Sequence, residues 1–479
     1  MNTSLPRVRG LALAALAAVL ANACEHQDAP ERPSIVLISI DSLRPDHLGC
    51  YGYAPPTSPT IDAVAAEGVR FETALSTTSW TLPSHAAMFT GLFDSAHGLF
   101  ENGLALSPEH QTLAELLKSE GYQTAGFFGG PYLHPTYGLD QGFEYYQSCM
   151  TQLADDLTPE QIRDSSRAHF GPSHRDITSP RTVDEVRKWL TGADDRPFFA
   201  FVHLWDVHYD YIPHKGLIEL FDADYQGGLK TQGYMANEGV NPGMDPRDLA
   251  HVLALYDNEI RFTDDHIKEL LELLEWKADG KENLIVVITA DHGEEFFEHG
   301  NKGHQHGLFD EVVKVPMVLR WPGHAPAGKV VGEQVRLIDL LPTLASAGGA
   351  PTPAHVQGRD LLPLVAADQP VPKEPALLEL LVAPYQARLL RTESFKAGQA
   401  SFAGRPGVDF GYRLDSDAGE HAMLGGDDSD VKRALDGMHR LVRGSQAINR
   451  ELGAGPTRVK VDPALEKRLG ELGYVDAAK

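Results

Sequence analysis

Five short apolar runs punctuate the chain and set its architecture. Residues 33–43 (PSIVLISIDSL) hold β-branched residues and leucine with no charge before Asp41. Residues 123–128 (QTAGFF), 197–204 (PFFAFVHL), 283–289 (NLIVVIT) and 312–320, the last interrupted by Pro316, repeat the theme. Runs of this length read as strands buried on both faces, as in a parallel sheet covered by helices. Segments with helical spacing alternate with them: 58–68, 113–121, 181–190, 253–274, 335–344 and, near the end, 463–475. The 253–274 stretch is the strongest, with apolar positions recurring near every 3.6 residues. Strand and helix in alternation predict an α/β fold. Beyond about residue 375 the pattern changes to shorter strands and turns, a smaller C-terminal subdomain. Residues 151–180 are polar and turn-rich and read as a surface loop with helical pieces, and the Gly-rich 215–247 as a lid or site border.

Chemistry collects where these elements end. Asp41 closes the first run, and Asp291-His292-Gly293 follows the 283–289 run. An acid at the carboxyl end of a buried strand is a frequent site position in open α/β sheets, and as often a turn former. Carboxylate and imidazole side by side suit a divalent cation. Between them lies STTSWTLPSHAAMFTG, residues 76–91. Proline disfavours helix at the residue before it, which predicts an extended Leu82, Pro83 in the first helical turn and Thr81 at the helix mouth. Most such hydroxyls merely cap a helix. At the positive end of the helix dipole, a hydroxyl can also attack a phosphate or sulfate ester. His208 sits in an aromatic loop (205–213, WDVHYDYIP), where a lone histidine is more often structural, and His203 reads as buried scaffold. The tract 298–307, EHGNKGHQHG, is either a flexible surface loop or a source of Lys302, His304 and His306 for ester oxygens. The acids of 253–274 read as helix packing or solvent face.

With 479 residues and 42% hydrophobic content, the chain can bury a large core. A formal charge of −25 excludes a nucleic-acid partner, which needs clustered Lys and Arg. Residues 1–24 have the form of a signal peptide: Arg7 and Arg9, an apolar stretch over 11–20, then Ala21-Asn22-Ala23 before Cys24. Two outcomes are open: simple export after Ala23, or a lipoprotein anchored to the envelope through lipidated Cys24. Either places the protein in the periplasm or on the envelope. Cys50 and Cys149 can form one disulfide or remain two thiols.

Thr81-Leu82-Pro83-Ser84-His85 and the small apolar helix to Gly91 resemble the Cys/Ser-x-Pro-Ser-Arg segment of the sulfatases, within the alkaline phosphatase superfamily. The likeness extends to the strand ending at Asp41, to Arg44 and 49–52, to 205–213, to Asp291-His292, and to segments as far as about residue 425. It implies a three-layer α/β sandwich with a large mixed, mostly parallel sheet over residues 33–374, and a small C-terminal α+β subdomain with a terminal helix over 375–479. It further implies one divalent metal ion (Ca, Mg, Mn or Zn) on Asp41, Asp291, His292 and the Thr81 hydroxyl. Thr81 would be the nucleophile, with His85, His208, Lys302, His304 and His306 around the substrate. Four departures stand out: Thr81 at the formylglycine position, His85 for arginine, Ser42 for the second metal-binding acid, and no Lys-x-His pair after 123–128. Fewer carboxylates leave room for a transition metal. A secondary alcohol oxidises to a ketone, so Thr81 cannot become formylglycine. The expectation is therefore a metal-dependent hydrolase of sulfuric or phosphoric esters with phosphoester or phosphonate chemistry favoured, acting on a small-molecule or glycan/lipid ester. The alternatives are a phospho-headgroup transferase of the envelope and an inactive binding protein on the same scaffold.

Overall fold

The apolar runs pair with one another. In the computed structural model, which describes residues 32–150, 177–231, 233–367 and 372–471 with Met1 and Gln369, nine strands form one sheet. They are Ser34–Ile40 (β1), Val69–Leu75 (β2), Gln123–Phe128 (β3), Tyr145–Ser148 (β4), Phe198–Leu204 (β5), Leu284–Ala290 (β6), Lys314–Arg320 (β7), Lys329–Val331 (β8) and Val335–Arg336 (β9). Their order is β8-β2-β7-β6-β1-β5-β3-β4, with β9 also on β2. β1 runs parallel to β5 and β6, and β3 parallel to β4 and β5. Only β7 is antiparallel to its neighbours. Every residue of β1, β3, β5 and β6 is buried, which explains their unbroken apolar character.

The longer helices among the described residues are Pro59–Glu67 (α1), Thr81–Thr90 (α2), Leu113–Ser119 (α3), Ser179–Gly192 (α4), Pro246–Lys277 (α5), Leu340–Ala347 (α6), Ser429–Leu452 (α7) and Pro463–Glu471 (α8). α5 packs on α1 and α4, while α2, α3 and α6 pack together, so the large sheet lies between two helical layers. α5 begins earlier than its apolar periodicity suggests, because Asp245 accepts from the Arg247 N–H and Pro246 occupies the first position.

Three expectations need correction. Leu82 is helical, not extended. α2 starts at Thr81 from an extended Trp80, and complete burial of Leu82 outweighs the steric bias before Pro83. The 335–344 segment is not one helix: Val335–Arg336 joins β2, and Asp339 draws back the Arg336 N–H at 2.9 Å in a tight turn before α6. The 312–320 run is a strand only from Lys314, since Asp310–Val313 forms a helical turn, and Pro316 interrupts it as expected, shifting the register of β7 on β2 between Val315 and Met317. The leader at 1–24, most of the 151–180 loop and the end of the 463–475 helix lie outside the described residues.

Ala376–Leu380 (β10), Tyr385–Arg391 (β11), Phe395–Phe402 (β12), Val408–Arg413 (β13) and Leu424–Gly425 (β14) form a second, antiparallel sheet in sequence order. α7 covers it through Val431, Leu435 and Met438, in a cluster that also takes in Phe93 and Ile338. Lys396 is fully buried and pairs with Asp310 at 3.0 Å and Glu420 at 2.8 Å. Cys50 and Cys149 are free thiols. Among the described residues no helix is long and apolar enough to cross a membrane.

Candidate active site

Register brings the two acids together. Ile40 pairs with Ala290 across β1 and β6, so Asp41 and Asp291 leave adjacent strands side by side. Both are fully buried. Ser42 turns away in the left-handed region (φ 57), a strained conformation for a residue with a side chain. There its hydroxyl donates to Asp41 Oδ1 at 2.8 Å and its N–H to Asp291 Oδ1 at 3.3 Å. The His292 N–H also reaches Asp291 Oδ1, at 2.9 Å. Asp291 Oδ2 is buried without a hydrogen bond.

Thr81 is carried to this point by α2. Its Oγ1 lies 3.4 Å from Asp41 Oδ2 and 3.4 Å from His292 Nε2. The Ser84 hydroxyl donates to the Asp291 carbonyl at 2.7 Å and pins the helix to the end of β6. Thr81 thus sits where the unpaired N–H groups and the dipole of α2 favour an anion.

A divalent cation fits these residues. His292 Nδ1 lies 2.9 Å from the Gly293 carbonyl, which accepts its N–H and leaves Nε2 as a lone pair. That Nε2 is 3.4 Å from Asp291 Oδ2 and 3.7 Å from Asp41 Oδ1. Two carboxylates and an imidazole lone pair facing one another repel unless positive charge lies among them. Ligand atoms of Asp41, Asp291 and His292 all fall within 4.8 Å of one another. Burial, then the Asp41 charge, pushes the Asp291 carboxyl well above its usual range. Burial also opposes ionisation of Asp41, but His203 and the other nearby histidines outweigh it and hold the group low. One negative charge is tolerated unaided, and a cation accommodates both.

Histidines line the remaining sides. His85 Nδ1 donates to the Thr81 carbonyl at 2.8 Å, and its Nε2 lies 3.0 Å from Ser39 Oγ. Burial lowers it to about 3, a neutral ring between α2 and β1. His304 stands with its ring centroid 4.3 Å from that of His292, and its Nδ1 lies 3.2 Å from Glu294 Oε1. His208 is buried against Trp205, Tyr209 and His304, and burial lowers it to about 3. Lys302 and His306 turn to other partners. The Lys302 amine donates to the Asn237 and Val240 carbonyls at 2.9 and 2.6 Å, and His306 Nε2 lies 2.8 Å from Glu295 Oε2.

Two neighbours escaped sequence reasoning. His203, on β5 opposite Ser39, places Nε2 3.4 Å from Asp41 Oδ2 and forms a buried group with His85 and Asp291. The signal was a polar ring inside an apolar strand. Glu294 holds His304 and accepts from the Tyr211 hydroxyl at 3.0 Å, and burial pushes it up to about 8. The acids of α5 serve packing: Asp264 accepts the Thr60 and Ile61 N–H groups, Glu259 binds His214, and Asp257 binds His47.

The chain is similar to several proteins of known class. An ulvan-active sulfatase of Formosa agariphila is 28% identical over 390 residues, covering 78% of this chain and 73% of that protein. Arylsulfatase A of Homo sapiens is 29% identical over 371 residues, 71% of this chain and 69% of that one. Among solved structures, the phosphonate monoester hydrolase of Agrobacterium radiobacter superposes with a TM-score of 0.68 at 22% identity, covering 90% of this chain and 100% of that chain. A sulfatase family model matches residues 33–350, from the first strand of the large sheet past its last helix, and this chain belongs to the sulfatase family.

Proposed function

We propose that this sulfatase-family ester hydrolase uses Thr81 as its nucleophile beside one divalent cation held by Asp41, Asp291 and His292, with phosphonate or phosphate esters as its better substrates. The observation that carries this reading is the position of Thr81 Oγ1, 3.4 Å from both Asp41 Oδ2 and His292 Nε2 at the start of α2. A cation at that position lowers the pKa of a neighbouring hydroxyl and screens charge on an ester oxygen. Thr81 Oγ, its proton passed to solvent, attacks phosphorus, and the Thr ester forms as the bond from phosphorus to the alcohol oxygen breaks. The N-terminus of α2 holds the anionic phosphoryl group. His304, steadied through Nδ1 by Glu294, is placed to give the leaving oxygen its proton, with His208 edge-on to it at 5.2 Å between ring centroids. Water then cleaves the Thr ester, and the same histidine takes up the proton released.

One point favours phosphorus over sulfur. A threonine cannot supply the second hydroxyl through which a formylglycine hydrate eliminates sulfate, so its ester must be hydrolysed directly. The substrate is a small-molecule or glycan/lipid ester, and residues 1–24 support export, with Cys24 as a lipid attachment point. The test is a panel of 4-nitrophenyl sulfate, phosphate, phosphodiester and phosphonate monoester, assayed with metal analysis of the same sample. Phospho or phosphonate turnover should exceed sulfate turnover and vanish on chelation. Faster sulfate turnover refutes the phosphorus preference. A fully metallated protein that turns over no ester is instead a binding protein.

A further inference from the structure

A small apolar pocket of about 130 Å³ lies between the histidine tract and the C-terminal sheet. Phe309, Leu380, Leu389 and Phe410 line it together with His306. Ala387 and Ala400, directly opposed across β11 and β12, open the space by their small size. The charged group in the wall, Glu420, is engaged by Lys396 at 2.8 Å and by the Asp310 N–H at 2.6 Å. Water inside would have few partners. A cavity of about 150 Å³ with apolar walls holds a benzene ring. At the mouth, the Tyr385 ring meets Phe402 at 5.0 Å, and Phe402 is 44% exposed, so apolar surface continues outward.

Both walls are tied to the approach to Thr81. On one side the Gln305 N–H donates to the Ser79 carbonyl at 3.2 Å. On the other, the N–H of Glu379, next to Leu380, donates to the Thr77 carbonyl at 2.7 Å. His306 follows two residues after His304, whose ring faces His292. We propose that this pocket seats the apolar part of the substrate, an aryl ring or an alkyl chain of about four to six carbons, on an anionic ester cleaved at Thr81. The assignment rests on the ester-hydrolase reading above, and the experiment separates the two.

The purified full chain is assayed on n-alkyl sulfates and n-alkyl methylphosphonates from ethyl to hexyl, whose alcohols differ little as leaving groups. In the wild type, kcat/KM rises about fourfold per methylene as each is buried. In Ala387→Phe and Ala400→Phe, which fill the cavity from either strand, the hexyl-to-ethyl ratio falls to about twofold or less. Each ratio is internal to one protein, so partial loss of folded material cancels. An unchanged slope in both variants, or no slope in the wild type, overturns the pocket and leaves the hydrolase intact. If no ester turns over, the hydrolase reading fails and saturation-transfer NMR with hexyl sulfate decides the pocket alone. Transfer to the terminal methyl in the wild type but not in the variants supports it, and equal or absent transfer overturns it.

Discussion

Replacing Thr81 by valine removes one oxygen and almost nothing else. The side chain is buried, valine has the same shape, and the hydroxyl's two polar neighbours, Asp41 and His292, both stand 3.4 Å away. That is long against the usual 2.7–2.8 Å of an O–H···O bond, so giving up both interactions costs under about 1 kcal/mol of stability. Catalysis is another matter. With Thr81 as the proposed nucleophile, acting with its neighbours as a unit, its loss cuts turnover by about 10⁴-fold or more, roughly 5 kcal/mol of barrier. Thr81→Ser reverses the pattern: the hydroxyl stays and turnover remains within about tenfold, while one buried methyl is removed at about 1 kcal/mol. Steady-state kinetics on the best ester of the panel, with urea melts of all three proteins, read both quantities. The reasoning is refuted if Thr81→Val keeps more than about a tenth of wild-type turnover.

Two further changes probe the frame. Asp94 is buried, accepts from the Thr77 hydroxyl at 2.7 Å, and is pushed by burial up to about 8. The folded state therefore keeps a proton that the unfolded chain loses near pH 4, and this contribution to stability declines as pH rises from about 4 to 8. Asp94→Asn should remove up to about 1.4 kcal/mol per pH unit from that slope, and urea melts across the window showing the wild-type slope would count against a protonated Asp94. Lys396→Met leaves the buried Glu420 without its cation, while Asp310 keeps the Arg391 guanidinium at 2.6 Å. It should cost about 3–5 kcal/mol by the same melts, and a loss under about 1 kcal/mol contradicts the pairing.

Much of the large sheet was legible because its inner strands are buried on both faces and carry almost no polar residue. β2 was not, since its exposure varies along the strand in VRFETAL and its partner β7 comes from far along the chain. β4 is four half-buried residues with no apolar run to mark it. Asp41, Asp291 and His292 could be read because an acid ending an apolar run is conspicuous, and Thr81 because proline marks the helix start. Long-range partners left no such mark. His203 looks like scaffold until β1 and β5 are in register, and Glu294 draws no notice until Tyr211 and His304 close on it. The same limit applies to Lys302, whose amine meets carbonyls at 237 and 240 that no spacing rule connects to it.

The hydroxyl of Ser84 has a larger role than its size suggests. By joining the first turn of α2 to the carbonyl of Asp291, it ties the Thr81 oxygen and that acid to one point at the end of β6. Warming therefore cannot spread the two apart while the centre of the sheet endures. Heat inactivation should coincide with collapse of the whole array of strands, not precede it.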